Sequence, residues 1–412
     1  MKSARRRVVV TGIGVVSNVG IGREAFAQAL REGRCQVTPI QAFDTTGYPY
    51  AHATEVLDLA GRQAEYDELI TRMGRSAALA VLAAREAVQH AGLDRAELAA
   101  SGAGVVLGST NGEAQVIDDI VRRSMLAGAS SVPAARWAQA PAHRIPLAVA
   151  AELGLTGEAQ VQASACAAGN YAIGNATDAI QEGEAEVMLC GGVDSVCRKT
   201  YSGFFRIGAI TPDVCRPFDA DRRGILTGEG AAVLVLESLE HARQRGAVIH
   251  AEVLGYGTNC DASHMTAPDR DSIAQCIRLA HQRSGIAAGQ VDYICAHGTG
   301  TRTNDVVEVG AIRDVFGAAA PPTSSIKSML GHSMGAASAM GAIACVIGLE
   351  DSFMPPTVNF RSPDPQCEID CVPNVARPAR LDVVENHGFA FGGNNAILIL
   401  GHARRTADEV MA

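Results

Sequence analysis

Cys166 is one of eleven cysteines in the chain, but its neighbours set it apart. It lies in Val161-Gln-Ala-Ser-Ala-Cys166-Ala-Ala-Gly-Asn170, where a strand-like segment runs into very small residues and then a helical stretch, Tyr171 to Gln181. Small side chains let the backbone turn sharply and let the next helix lie close to its neighbours. A cysteine in the first turn of a helix faces unpaired N–H groups and the positive end of the dipole, which favours thiolate over thiol. A small buried hydrophobe would fit the same stretch, so the other reactive residues decide. His297 closes the apolar run 291–296 and opens His297-Gly-Thr-Gly-Thr301. Lys327 and His332 share the segment Thr323-Ser-Ser-Ile-Lys327-Ser-Met-Leu-Gly-His332. A glycine-rich turn, Phe391-Gly392-Gly393, comes near the end.

These residues make chemical sense together. A cysteine thiolate can take an acyl group from a thioester. Two neutral imidazoles can donate Nε2–H to the carbonyl oxygen of a second thioester and stabilise the enolate left when a carboxylate departs as CO2. Backbone N–H groups at Cys166 and at the Phe391–Gly392 turn can hold the oxyanion of the acyl-cysteine step. Lys327 can orient an imidazole or a nearby carboxylate, Asp305 or Glu308. The set calls for no metal and no organic cofactor. Only three of the 35 basic residues are lysines, Lys2, Lys199 and Lys327. A lysine between Ile326 and Met329, just before an apolar helix, therefore asks for a specific role.

The bulk composition agrees. With 412 residues, 47% hydrophobic content and 43 glycines, the chain suits a closely packed α/β protein of two or three domains or one duplicated one. A net charge of −9 argues against nucleic-acid binding. The basic start, Arg5-Arg-Arg7, leads straight into Val8-Val-Val10 without the apolar core of a signal peptide. With an odd number of scattered cysteines, this points to the reducing cytoplasm. The longest apolar stretch, Gly335 to Leu349, is too short for a bilayer and reads as a buried helix, so no membrane role is expected. Cys367 and Cys371 have no second pair beside them, so no zinc site is expected.

The elements that must position these residues alternate. Strands are expected at 7–13, 102–107, 159–163, 185–193, 231–236, 250–256, 291–296, 381–390 and 396–400. Helices are expected at 22–31, 69–90, to about 125, 143–153, after Cys166, to 246, 271–284, 305–316 and 335–349. Residues 35–65 read as surface loop and 198–230 as an irregular functional loop containing Phe204. Strand–helix alternation predicts a largely parallel sheet, which would gather the turns bearing Cys166, His297, His332 and Phe391 on one side. Two halves, 1–247 and 248–412, echo each other: Cys166-Ala-Ala-Gly169 opens one small-residue helix and His332-Ser-Met-Gly335 the other.

At this point the chain resembles the elongating β-ketoacyl-acyl-carrier-protein synthases, Cys-His-His condensing enzymes of the thiolase superfamily. The resemblance spans essentially the whole chain. It rests on Val8-Val-Val-Thr-Gly-Ile-Gly14, Ser164-Ala-Cys166-Ala-Ala-Gly169, Arg216-Pro-Phe-Asp219 with Gly228-Glu-Gly230, His297-Gly-Thr-Gly-Thr301 with Asp305 and Glu308, Ser325-Ile-Lys327 with Gly331-His332-Ser333, and Phe389-Ala-Phe391-Gly-Gly393. It implies an α/β thiolase fold, five-layered αβαβα with two pseudo-symmetric halves. It also implies decarboxylative condensation of an acyl group on Cys166 with malonyl-acyl carrier protein, and substrates carried on a phosphopantetheine arm. Thr299 and Thr301 would line the pantetheine tunnel, Phe391 would gate it and Phe204 would touch substrate. The partners implied are acyl carrier protein and a second subunit, in a homodimer or a heterodimer with a chain-length factor.

Two departures bear on substrate. Ala390 and Asn394 replace residues that are often Gly and Thr in the last motif. Asn111 stands where relatives often place an apolar residue at the far end of the acyl pocket, which points to a polyketide or polyene substrate rather than a long saturated chain. A non-decarboxylating thiolase would want a second cysteine near the 389–395 turn, which has none. Initiating synthases carry Asn where His332 stands, and chain-length factors lack the cysteine.

Overall fold

The structure is a computed structural model that describes residues 5–406. Lys2 and the outermost residues of the two expected halves, 1–4 and 407–412, lie outside the described residues. Ten strands carry the fold: β1 (Val8–Ser17), β2 (Gly104–Gly108), β3 (Ala159–Gln162), β4 (Val187–Asp194), β5 (Gly230–Ser238), β6 (Ala251–Cys260), β7 (Tyr293–Cys295), β8 (Thr323–Ser324), β9 (Val383–Phe389) and β10 (Asn394–His402). Their order is β8-β7-β9-β10-β6-β1-β5-β4-β2-β3. Read outward from the central β1/β6 pair, both halves follow one rule. The first two neighbours are antiparallel (β1-β5-β4 and β6-β10-β9) and the outer ones parallel (β4-β2-β3 and β9-β7-β8). The expected largely parallel sheet is therefore mixed, because each half returns through an antiparallel hairpin-like middle that local alternation does not reveal. Within the sheet, the two half-sheets join where Val8, Val9 and Val10 face Val253, Glu252 and Ala251.

Eight helices matter here: α1 (Arg75–Ala91), α2 (Ala114–Ala127), α3 (Arg144–Leu153), α4 (Ala168–Gln181), α5 (Arg198–Arg206), α6 (Arg270–Ser284), α7 (Arg302–Phe316) and α8 (Ala337–Asp351). The strands are apolar on both faces and divide them by alternation. In β5, Ala231, Val233 and Val235 pack with α1 and α3, whereas Ala232, Leu234 and Leu236 pack with α4 and α8. In β10, Ile397 and Ile399 face the core under α6 and α7, and Leu398 and Leu400 face α8. The result is five layers: helices, half-sheet, α4 with α8, half-sheet, helices. The apolar window Met334–Asp351, which contains α8, is 89% buried inside the protein, so it is the central core helix.

Three local expectations change. The single helix expected over 69–90 is two, Gln63–Arg72 and α1, broken at an extended Met73. Gly74 there lets the Glu113 carboxylate approach: a Cβ would lie 2.0 Å from its Oε2. Glu113 accepts the N–H groups of Ser76 and Ala77 and so caps α1. Residues 52–54 form a short strand paired with Thr227–Gly228 rather than surface loop, and Glu55 is buried, accepting N–H from Gln41 and Ala42. The stretch 198–230 opens with α5 instead of being irregular throughout.

Candidate active site

The Cys166 turn is built on strain and smallness. Ala165 has φ +46°, a left-handed conformation uncommon outside glycine, and a 3₁₀ turn over Ala165–Ala167 leads into α4. The second half repeats the device: Met334 has φ +50°, and a turn over Met334–Ala336 leads into α8. The echo seen in the sequence is thus real at the level of elements but shifted in register. Ala165 matches Met334, so Cys166 matches Gly335, and His332 falls three residues earlier. Buried Asp194, at the end of β4, ties the two turns together. It accepts from Gly335 N–H at 2.6 Å, and from the N–H groups of Thr110 (2.8 Å) and Asn111 (2.9 Å) and the Ser109 hydroxyl (2.8 Å).

Cys166 is buried. Burial pushes its thiol up to about 12, against the lowering effect of the Lys327 ammonium and of the backbone N–H groups of Cys166 and Phe391. The resting cysteine is a thiol, not the thiolate expected from a helix start. The residue sits in a short turn ahead of α4, and desolvation outweighs the dipole. These two N–H groups are among the three, with that of Gly392, expected to hold an oxyanion. Gly392 differs: its N–H donates to the Met265 carbonyl at 2.8 Å, which leaves it unavailable to an oxyanion and anchors the turn instead.

His297 and His332 are both buried, with ring centroids 5.5 Å apart and planes at 83°. Both pKa values lie well below the ordinary histidine value, first through burial and then through Lys327. Both rings are therefore neutral. His332 Nδ1 accepts the Met334 N–H at 3.2 Å. That bond fixes the tautomer: the proton is on Nε2, which can only donate. His332 is placed by backbone bonds from its N–H to Leu226 (2.6 Å) and from Gly228 to its carbonyl (3.0 Å). Lys327 is buried at the start of a short helix, and burial lowers its pKa.

Two carboxylates hold the 297–301 loop. Glu308 accepts the N–H groups of His297 and Gly298, each at 2.7 Å. Asp305 accepts those of Thr299 (3.1 Å), Gly300 (3.2 Å) and Phe218 (2.9 Å). Burial pushes Asp305 up to about 6. Thr299 and Thr301 share a hydroxyl contact at 2.9 Å.

Two cavities meet at Cys166. One, of about 210 Å³, is lined by Cys166, His297, His332, Thr299, Thr301 and Phe391. The other, of about 330 Å³, is lined by Cys166, Thr110, Asn111, Thr200, Phe204 and Phe391. Phe391 borders both, lies against Phe204 with ring centroids 5.2 Å apart and planes tilted by 39°, and is 38% exposed. The geometry thus brings together Cys166, both histidines, Thr299, Thr301, Phe204, Phe391 and Asn111 around one pair of cavities. Lys327, Asp305 and Glu308 stand behind them. Sequence reasoning missed Asp194 and Arg222. The second is buried and holds the Thr301 carbonyl at 3.1 Å and Asp364 at 2.5 Å. A carboxylate closing the apolar run 187–193 was the available signal for Asp194; Arg222 had none beyond its basic loop.

Residues 5–242 match the family described as "Beta-ketoacyl synthase, N-terminal domain", and residues 250–361 match "Beta-ketoacyl synthase, C-terminal domain". Nodulation protein E of Rhizobium sp. (strain N33) is 40% identical over 403 residues, covering 95% of this chain and 98% of that protein. A solved structure titled "The ishigamide ketosynthase/chain length factor" is 50% identical, with a TM-score of 0.94 over 97% of this chain and 100% of that one. A second, "AntDE:AntF (apo): type II PKS acyl-carrier protein in complex with its ketosynthase bound to the hexaketide", is 28% identical with a TM-score of 0.90 over 97% of this chain and 100% of that one.

Proposed function

The chain belongs to the β-ketoacyl synthase family, and from that membership we propose how its residues divide the work. It is an acyltransferase that condenses a cysteine-bound acyl group with a malonyl group on acyl carrier protein, releasing CO2. The observation that carries the division is the convergence of a thiol and two neutral imidazoles on one cavity.

In the first half-reaction the Cys166 sulfur attacks the incoming thioester carbon. Its proton passes to His297, whose ring no side-chain bond ties to one tautomer among the described residues, and ends on the departing pantetheine sulfur. The N–H groups of Cys166 and Phe391 hold the oxyanion. In the second, the malonyl thioester oxygen accepts Nε2–H from both imidazoles, so the electron pair released by the C–CO2 bond rests as an enolate. The enolate carbon attacks the acyl-cysteine carbonyl, the oxyanion returns to the same two N–H groups, and collapse expels the Cys166 thiolate, which takes up a proton. Neutral rings suit this step, since the buried Lys327 charge already stabilises negative charge nearby. Thr299 and Thr301 line the arm's approach, and no metal or organic cofactor takes part.

The working partners are acyl carrier protein and a second subunit, a copy of this chain or a chain-length-factor-like protein, in the cytoplasm. The likeness to a ketosynthase/chain length factor and to a type II ketosynthase supports a polyketide or polyene pathway, as does the polar Asn111 in the second cavity.

The test has two parts. Incubation with an acyl-loaded carrier should add one acyl mass to Cys166 and none to Cys166→Ala; an equal adduct on the variant sinks the assignment. His297→Ala and His332→Ala should each lower CO2 release from malonyl carrier by about 10²–10³, with the His332 variant still acylated. Unchanged decarboxylation removes the enolate role.

A further inference from the structure

A buried histidine outside the reacting set stands between two carboxylates. His387 lies in β9, fully buried. Its Nδ1 is 3.3 Å from Glu308 Oε1 and its Nε2 is 3.1 Å from Glu385 Oε2. Glu308 Oε1 is also the atom that accepts the His297 backbone N–H at 2.7 Å. On its far side, Glu385 meets His281 Nε2. A neutral imidazole has one N–H and one lone pair. With a carboxylate at each nitrogen, only the imidazolium can donate to both.

We propose that His387 is a positioning residue that is charged at neutral pH, which donates to Glu308 and through it sets the place of the His297 backbone for the decarboxylation step. The proposal rests on the condensing role given above. The environment agrees with the geometry. Burial opposes the charge, but Glu308 and Glu385 overcome it and raise His387 to about 9. Glu385 is held below its ordinary value despite burial by His281 and His387. The groups facing His387 are Glu308 from α7, Glu385 from its own strand, Cys295 from β7 and His297 from the loop; His281 from α6 reaches it through Glu385. The charge helps to keep His297 neutral, after the larger effects of burial, Lys327 and His332.

The sign follows. A histidine raised above 6.5 contributes its pairing fully below that value and loses it as pH rises through about 9. Decarboxylation by the wild type should therefore fall along an alkaline limb near 9, while acylation of Cys166 is less affected. In His387→Asn, an amide keeps a donor toward Glu308 but no charge. The limb should vanish and the neutral-pH decarboxylation rate should drop about tenfold, with Cys166 acylation within about threefold of wild type. Glu385→Gln removes one of the two carboxylates and should move the limb down by about one pH unit. A limb unmoved by both substitutions overturns the proposal while leaving the condensing role intact. A direct readout does not depend on turnover. In protein labelled at histidine ¹³Cε1, the resonance missing from His387→Asn should keep its imidazolium position at pH 8. A neutral position overturns the proposal whatever the activity.

Discussion

The Asn111 side chain is held at one end only. Its Oδ1 accepts the Thr200 hydroxyl at 2.6 Å, but its Nδ2 is buried without a partner. An unpaired buried donor costs about 1–3 kcal/mol, and this one borders the cavity beyond Cys166. A wholly saturated chain would leave the cost standing, whereas an acyl chain with an acceptor or a π-face there offsets it. Competition between saturated and polyunsaturated acyl carriers should favour the second in the wild type. Asn111→Leu should shift the ratio of kcat/KM values about tenfold toward the saturated primer, and an unchanged ratio would remove Asn111 from substrate choice. At this scale the reacting residues were legible because cysteine, histidine and lysine are conspicuous among glycine and alanine. Their supports were not. Asp194 bonds residues 84 and 141 positions away, and Glu308 lies 79 positions from His387, so no local window contains either interaction.

Elements were legible where one pattern fills a window and illegible where a distant contact breaks it. The apolar strands and α8 stand out by composition alone. The break at Met73–Gly74 depends on Glu113, some forty residues on, and the mixed sheet depends on pairings that span the chain. The middle layer is the element on which the site depends, because α4 carries the cysteine turn and α8 follows the histidine. Their approach is close at Gly169, where a Cβ would meet Ala339 N at 2.6 Å and Ser338 Oγ at 2.8 Å. Gly169→Ala should cost about 1–3 kcal/mol by overpacking and displace the cysteine turn. Thermal denaturation and the Cys166 acylation rate should fall together; a stable but slow variant would place the effect in the turn alone.

The molecule as a whole leaves one apolar face bare. Ile117, Val121, Met125 and Leu126 on α2, with Trp137 beside them, are exposed, Met125 at 82%. Among the described residues, β3 ends the sheet with one side unpaired. An apolar strip of this kind, like a free strand edge, fits a subunit contact. Met125→Glu with Leu126→Glu should shift the protein toward monomer in sedimentation velocity, with far-UV circular dichroism unchanged; an unaltered sedimentation coefficient would place the contact elsewhere.

The narrow seam between the half-sheets has a different consequence. Three residue pairs join β1 to β6, while the connection before β6 passes Val248, 69% exposed. Continuity of the chain at that point adds little to the packing of α4 against α8, which holds the two sides together. Two separately encoded polypeptides, residues 1–247 and 248–412, should then find each other in the cell, copurify and rebuild a site whose thiol comes from one gene product and whose imidazoles come from the other.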